Sequence, residues 1–218
     1  MKMIKNVLFL AFTLSVFASC SNAPKGEKAA TTEAAPVAEV EQAKSLSVNT
    51  GSSLIKWSGS KIGGTHTGTL AIKNGTVQVK DGKVAGGNFV IDMSSMKCTD
   101  LPEDKGKDLV GHLSSPDFFD VAKYPTSTFT ITKVTGLSGD DAANSLVYGN
   151  LNMMGETKQI SFKANVKAGA NGVTVSTPDF TIDRTDFGIQ YGSTKLADVV
   201  KDKAINDNVG LSIQLAAS

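Results

Sequence analysis

His112-Leu-Ser-Ser-Pro-Asp-Phe-Phe-Asp-Val-Ala-Lys-Tyr-Pro125, followed at once by Thr126-Ser-Thr-Phe-Thr-Ile-Thr132, is a junction where helical signals give way to a strand. Ser115 suits the cap of a short helical turn, Pro116 its first position, and Asp117 and Asp120 the positive end of its dipole. Pro125 pushes Tyr124 out of helical geometry and opens the next strand. In that strand Phe129 and Ile131 alternate with Thr128, Thr130 and Thr132, the period of a half-buried strand.

Outward from this junction the same alternation recurs. Leu70 and Ile72 share a face, as do Phe89, Ile91 and Met93. Val147, Leu151 and Met153 form another set with Gly149 between them, and Ile160, Phe162, Ala164 and Val166 a fourth. Phe180 with Ile182, then Leu211, Ile213 and Leu215, complete the series. Turn chemistry separates the runs at Lys73-Asn74-Gly75, Asp81-Gly82-Lys83, Ser138-Gly139-Asp140 and Ala170-Asn171-Gly172, which implies antiparallel neighbours. The stretch from Leu101 to Asp120 is long enough for a helix, with Leu101, Leu109, Val110, Leu113 and Phe118 on its apolar side. The class is therefore all-β with a short helical insertion. About eight strands with one apolar face close as a sandwich or a barrel, and an eight-stranded barrel holds side chains or one small ligand. Gly68, Gly86, Gly87 and Gly149 suit the bends of a closed barrel.

The first residues read as an export signal. Lys2 and Lys5 precede an apolar run from Val7 to Ala18, within the signal-peptide range of about 7–15 residues and too short to span a bilayer. Ala18-Ser19-Cys20 has the form of a bacterial lipoprotein cleavage site, so residues 1–19 are expected to be a signal peptide and Cys20 the lipidated first residue. That places the protein in the cell envelope, on the membrane, facing the periplasm or the outer surface. Residues 20–45 are Ala, Glu, Lys, Thr and Pro with few large apolar side chains, and read as a disordered tether. About 25 extended residues at roughly 3.3 Å each reach about 80 Å. Residues 46–218 form the folded domain.

Of 22 Lys and Arg, removal of Lys2 and Lys5 leaves 20 against 21 Asp and Glu, so no net field attracts nucleic acid. Cys98 is then the one remaining thiol; it has no intramolecular partner and reads as a small buried hydrophobe. His66, His112, Cys98 and scattered acids lack metal-ligand spacing. No nucleophile elbow, P-loop or dinucleotide fingerprint is present, so neither an enzyme nor a cofactor is expected. Arg184, the one arginine among the basic residues, lies in Thr181-Ile-Asp-Arg-Thr-Asp-Phe-Gly188. Its planar fork serves either a carboxylate clamp across neighbouring strands or a ligand's polar head.

The chain resembles the YceI-like family of lipid-binding barrels. The resemblance rests on His112 to Pro125, Gly86 to Asp92, Tyr148 to Gly155 with Thr157 and Lys158, and Ile182 to Ile189. An Asp198-to-Asp202 acidic stretch and a final strand near Asn208 to Leu215 follow in similar order. It implies a lipocalin-like up-and-down barrel around an elongated apolar pocket, with a polyisoprenoid such as an isoprenoid quinone or prenyl phosphate as ligand. Phe89, Phe129 and Phe162 are then candidate tunnel walls. Trp57, Phe118 and Phe119 are either core or pocket rim, and His112 and Arg184 are candidates for the head group. The rival reading is a filled barrel that acts as a structural or interaction module.

Overall fold

The computed structural model describes residues 23–140, 142–169, 172–196 and 204–218. The expected signal peptide, Cys20, the Ala170-Asn171 turn and the Asp198–Asp202 stretch lie outside them. In chain order the elements are β1 (Glu27–Lys28), β2 (Ala30–Glu33), β3 (Lys44–Ser47), β4 (Leu54–Lys61), β5 (Gly64–Lys80) and β6 (Lys83–Cys98). Then come α1 (Glu103–Ser114), β7 (Thr126–Gly136), β8 (Ser145–Met153), β9 (Glu156–Gly169), β10 (Gly172–Ser176), β11 (Phe180–Asp183) and β12 (Asn208–Ala217). Antiparallel pairing runs from β4 through β10 in sequence order, then to β12, and β12 pairs back onto β4. The sheet thus closes as an up-and-down barrel, with β11 continuing the line of β10 along β12.

The alternating apolar face points inward on every barrel strand. On β8 every second residue is buried, Ser145, Val147, Gly149, Leu151 and Met153. The β5–β6 hairpin turns on Asp81 (φ 52°) and Gly82 (φ 73°), the two left-handed residues that a twisted two-residue loop requires. Met154 and Gly155 repeat this geometry between β8 and β9, a turn the composition did not single out. Lys73-Asn74-Gly75 is not a turn. It lies inside the continuous β5, where the register shifts between Ile72 and Asn74, so its turn-like residues form a bulge that bends the strand.

Barrel bending is only part of what the glycines do. Trp57 pairs with Gly68, Phe89 with Gly75, and a Cβ on Gly68 would overlap the Trp57 ring and the Lys97 carbonyl. A Cβ on Gly149 would overlap the Phe129 ring in the same way. Each missing side chain makes room for an inward aromatic on the next strand.

The helix also differs from expectation. It starts at Glu103 behind Pro102, with Glu103 and Asp104 in its first turn, and Ser115 ends it. The Ser115 hydroxyl donates to the His112 carbonyl at 2.8 Å and accepts from the Asp117 amide at 3.3 Å, so residues 116–119 are a capped turn rather than a helix. Leu109, Val110 and Leu113 pack over Trp57, Ile91, Met93 and Met96 at one end of the barrel.

The expected tether is likewise corrected. β1 pairs in parallel with β11, β2 pairs with β9, and β3 pairs with β5, so much of residues 27–47 runs along the barrel wall. Its polar composition misled because main-chain hydrogen bonds, with only Ala29 and Leu46 buried, hold it there.

Candidate functional site

Because inward positions carry hydrocarbon on every barrel strand, the interior is apolar. It holds a cavity of about 120 Å³, walled by Ile55, Ile72, Phe89, Ile91, Phe129, Ile131, Phe162, Phe180, Leu211 and Ile213 among others. Thr177 is the one polar residue of the wall, but its hydroxyl accepts from the Ile213 amide at 2.9 Å and does not face the cavity, and no charged side chain borders it. Four rings cross this space in a row. Phe89 and Phe129 lie 6.3 Å apart, Phe129 and Phe162 5.6 Å, and Phe162 stacks on Phe180 at 4.6 Å with planes 8° apart. Phe129, Val134, Val166, Val175, Leu211 and Ile213 point inward yet remain only half-buried, so hydrocarbon does not fill the interior. Ala164, by contrast, is fully packed at 0% exposure.

Three of the residues singled out in the sequence, Phe89, Phe129 and Phe162, line this cavity. The other five build the end beneath the helix. Trp57 is buried there, and its indole Nε1 has no hydrogen-bond partner. Phe119 packs beside it. Phe118 is buried between the His112 ring at 5.0 Å, the Tyr191 ring at 5.3 Å and the Arg184 guanidinium at 5.9 Å. Neither phenylalanine of the pair borders the cavity. His112 stands outside it, its side chain 44% exposed, with Nε2 3.2 Å from Asp117.

Arg184 is spent within the protein. It is 2% exposed and opens a 3-10 turn, Arg184–Phe187, after β11. Nε donates to the Asn206 carbonyl at 3.2 Å, Nη1 to the Ile189 carbonyl at 3.0 Å, and Nη2 to the Ile205 carbonyl at 3.3 Å and to Asp207 at 3.2 Å. Burial lowers the guanidinium from its ordinary value, opposed by Asp207 and Asp183. The carboxylate clamp of the sequence reading is therefore present, but on Asp207, on the Ile205 and Asn206 carbonyls just before β12, and on the Ile189 carbonyl after the 3-10 turn. Four of its five N–H donors are thus engaged within the protein. Its neighbour Asp183 accepts from the Thr185 hydroxyl at 2.6 Å, Lys195 at 3.0 Å and Lys28 at 3.1 Å. Burial alone would raise that carboxyl, but these donors outweigh it and hold it well below the usual carboxylate range.

Sequence reasoning did not single out Ile55, Phe180, Leu211 or Ile213 as site residues. The signal was the same period-2 alternation, carried to the last strand, together with the closure of β12 onto β4 that makes its inward face part of the wall. Cys98 is half-buried and donates to Asp100 at 3.3 Å. Among the described residues no group of three His, Cys, Asp or Glu is placed to hold a metal ion.

Known proteins share this architecture. A UPF0312 protein of Pseudomonas putida is 38% identical over 90 residues, 36% of this chain and 42% of that relative. One from Pseudomonas syringae pv. tomato matches to the same extent, so the matched stretch spans less than half the length of these curated relatives. BcnA of Burkholderia cenocepacia has the same fold, with a TM-score of 0.59 at 20% identity over 78% of this chain and 99% of that one. A polyisoprenoid binding domain from Saccharophagus degradans gives 0.56 at 17% identity over 79% and 97%. The model of the YceI-like domain matches residues 46–217, which takes in β4 to β12, and the chain belongs to the YceI-like family.

Proposed function

We propose that the barrel binds one long apolar lipid of polyisoprenoid type, a quinone or prenyl phosphate, and serves as its carrier, store or sensor. The observation that carries this reading is an interior walled by hydrocarbon, with no charge and with several inward side chains only half-buried. The family and the polyisoprenoid binding neighbour support it. Burial supplies the affinity at about 0.8 kcal/mol per CH₂, so a five-carbon isoprene unit contributes on the order of 4 kcal/mol before binding costs. A dry apolar cavity of about 120 Å³ suits a single ring or a short chain segment. A long chain therefore enters by swinging the row of phenylalanines aside. The head group remains near a barrel opening, since the wall turns no polar group toward the cavity.

Export and lipidation at Cys20 belong to the same reading. With β1 held on the barrel from Glu27, few residues separate it from Cys20, and the barrel sits close to the bilayer that anchors it. The test is purification of the chain from Ser21 onward, which keeps β1 to β3, from a bacterial host without detergent. Native mass followed by solvent extraction and mass spectrometry should find one isoprenoid lipid per protein. A clean apo mass, unchanged after incubation with membrane lipid extract, overturns the reading in favour of an interaction module.

A further inference from the structure

The barrel wall has a lateral gap. β10 pairs with β9 from Gly172 to Ser176, and then Thr177-Pro178-Asp179 interrupts the strand. Proline cannot donate to a ladder, and beyond it β11 keeps its pairing with β12 but leaves β9. The edge of β9 from Lys158 to Ser161 is therefore free of any barrel strand on that side. The N-terminal segment fills the space. Glu27 and Lys28 pair with Phe180 and Thr181 on one side, and Ala30 to Glu33 pair with Ser161 to Lys158 on the other.

The fit is shallow. Ala29 is the only side chain of residues 27–33 that is buried, at 5% exposure, and its amide donates to the Thr181 carbonyl at 2.8 Å. The Thr31 hydroxyl is buried without a partner. Ion pairs from Lys28 to Asp183, Lys163 to Glu27 and Lys158 to Glu33 fasten the rim, each with at least one well-exposed member and hence screened by water. A second cavity of about 200 Å³ adjoins the segment, bordered by Ala29, Ala30, Phe162 and Phe180 and, on its charged rim, by Glu27, Lys28, Lys163 and Asp179. The same two stacked rings border the central cavity. Phe162 and Phe180 thus border both the space beside the segment and the interior of the barrel.

We propose that the gap between β9 and β11 is a side portal through which an apolar ligand enters and leaves, and that residues 27–33 are its removable strand. This rests on the lipid-binding reading above. Opening takes one methyl out of the core, exchanges main-chain pairs for water, and frees Phe162 and Phe180 to rotate. The segment precedes the residues that match the family, 46–217. Its start seven residues after Cys20 sets the portal beside the membrane whenever that cysteine is anchored.

The test uses the full chain. Ala30 and Ser161 are directly opposed across β2 and β9, a spacing that accepts a disulfide. The Ala30→Cys/Ser161→Cys variant, with Cys20→Ser and Cys98→Ser to prevent mispairing, is mixed with phosphatidylcholine vesicles carrying an isoprenoid quinone. The oxidised form should take up quinone at least tenfold more slowly than the reduced form. Equal rates in both states overturn the portal and leave the lipid reading standing, whereas no uptake by the reduced protein overturns both. Hydrogen exchange on the parent supplies a readout free of ligand. The amides of Ala29 and Ala35 should exchange through local opening while the β8–β9 ladder stays protected, and equal protection at both places overturns the proposal.

Discussion

Replacing Arg184 by methionine distinguishes a structural clamp from a ligand contact. Methionine keeps much of the bulk over Phe118 but removes four hydrogen bonds, to the carbonyls of Asn206, Ile189 and Ile205 and to Asp207. The Asp207 side chain, 12% exposed, is left with only the Ser193 hydroxyl. Breaking a buried pair by removing one partner costs about 3–5 kcal/mol, because the remaining charge stays desolvated. For a domain of this size 1 kcal/mol moves Tm by about 2–4 °C, so the expected drop is roughly 6–20 °C. Arg184→Lys keeps the charge without the fork and should fall between parent and methionine variant. Adding Asp207→Asn to Arg184→Met should recover part of the loss, since the stranded charge is gone. Urea unfolding of the four proteins, with quinone uptake measured on the folded fraction, reads all of this. Parental stability in Arg184→Met together with lost uptake would refute the clamp and make Arg184 a head-group ligand.

Asp183 makes stability depend on pH in a definite direction. Its carboxyl is held well below the usual range, so its contribution is complete above the unfolded value of about 3.9 and is lost as pH falls through the depressed folded value. Asp183→Asn should therefore be less stable than the parent at pH 7, and the difference should shrink in urea unfolding carried out near pH 2. Gly149→Val should cost about 1–3 kcal/mol by overpacking, since its Cβ overlaps the Phe129 ring, and Phe129→Leu in the same chain should restore part of the loss. Trp57→Phe removes a buried indole N–H that lacks a partner, so its cost in thermal unfolding should be under about 1.5 kcal/mol, against about 3–5 for Trp57→Ala.

The barrel was legible in the sequence because its inward face repeats with period two from Leu70 to Leu215, and one buried face leaves that signal on every strand. Arg184 was legible as a clamp from its rarity, although the acceptors on the segment before β12 were not, since they lie some twenty residues away in sequence. The pairing of Gly68 with Trp57 and the seating of the Phe129 ring over Gly149 depend on register, which alternation does not encode. Lys73-Asn74-Gly75 carries turn residues inside a strand, and only the neighbouring strand shows that a bulge absorbs them. The helix was legible between Leu101 and Asp120, but the short helical turn expected after Ser115 is only a capped turn that follows the helix end. Least legible was the N-terminal strand. Residues 27–33 bury one alanine methyl, so the unpaired edge of β9 that receives them leaves no mark on their own sequence.

The most direct test of the central claim is lipid stoichiometry in Ile213→Trp, which aims an indole into the central cavity from β12. Ile213 is half-buried, so the ring occupies open space rather than packed core, and Tm should stay within about 4 °C of the parent. Solvent extraction and mass spectrometry should then find less than a tenth of the isoprenoid lipid that the parent carries. A well-folded variant that retains the full complement of lipid would contradict the account, because the ligand would then lie outside the barrel.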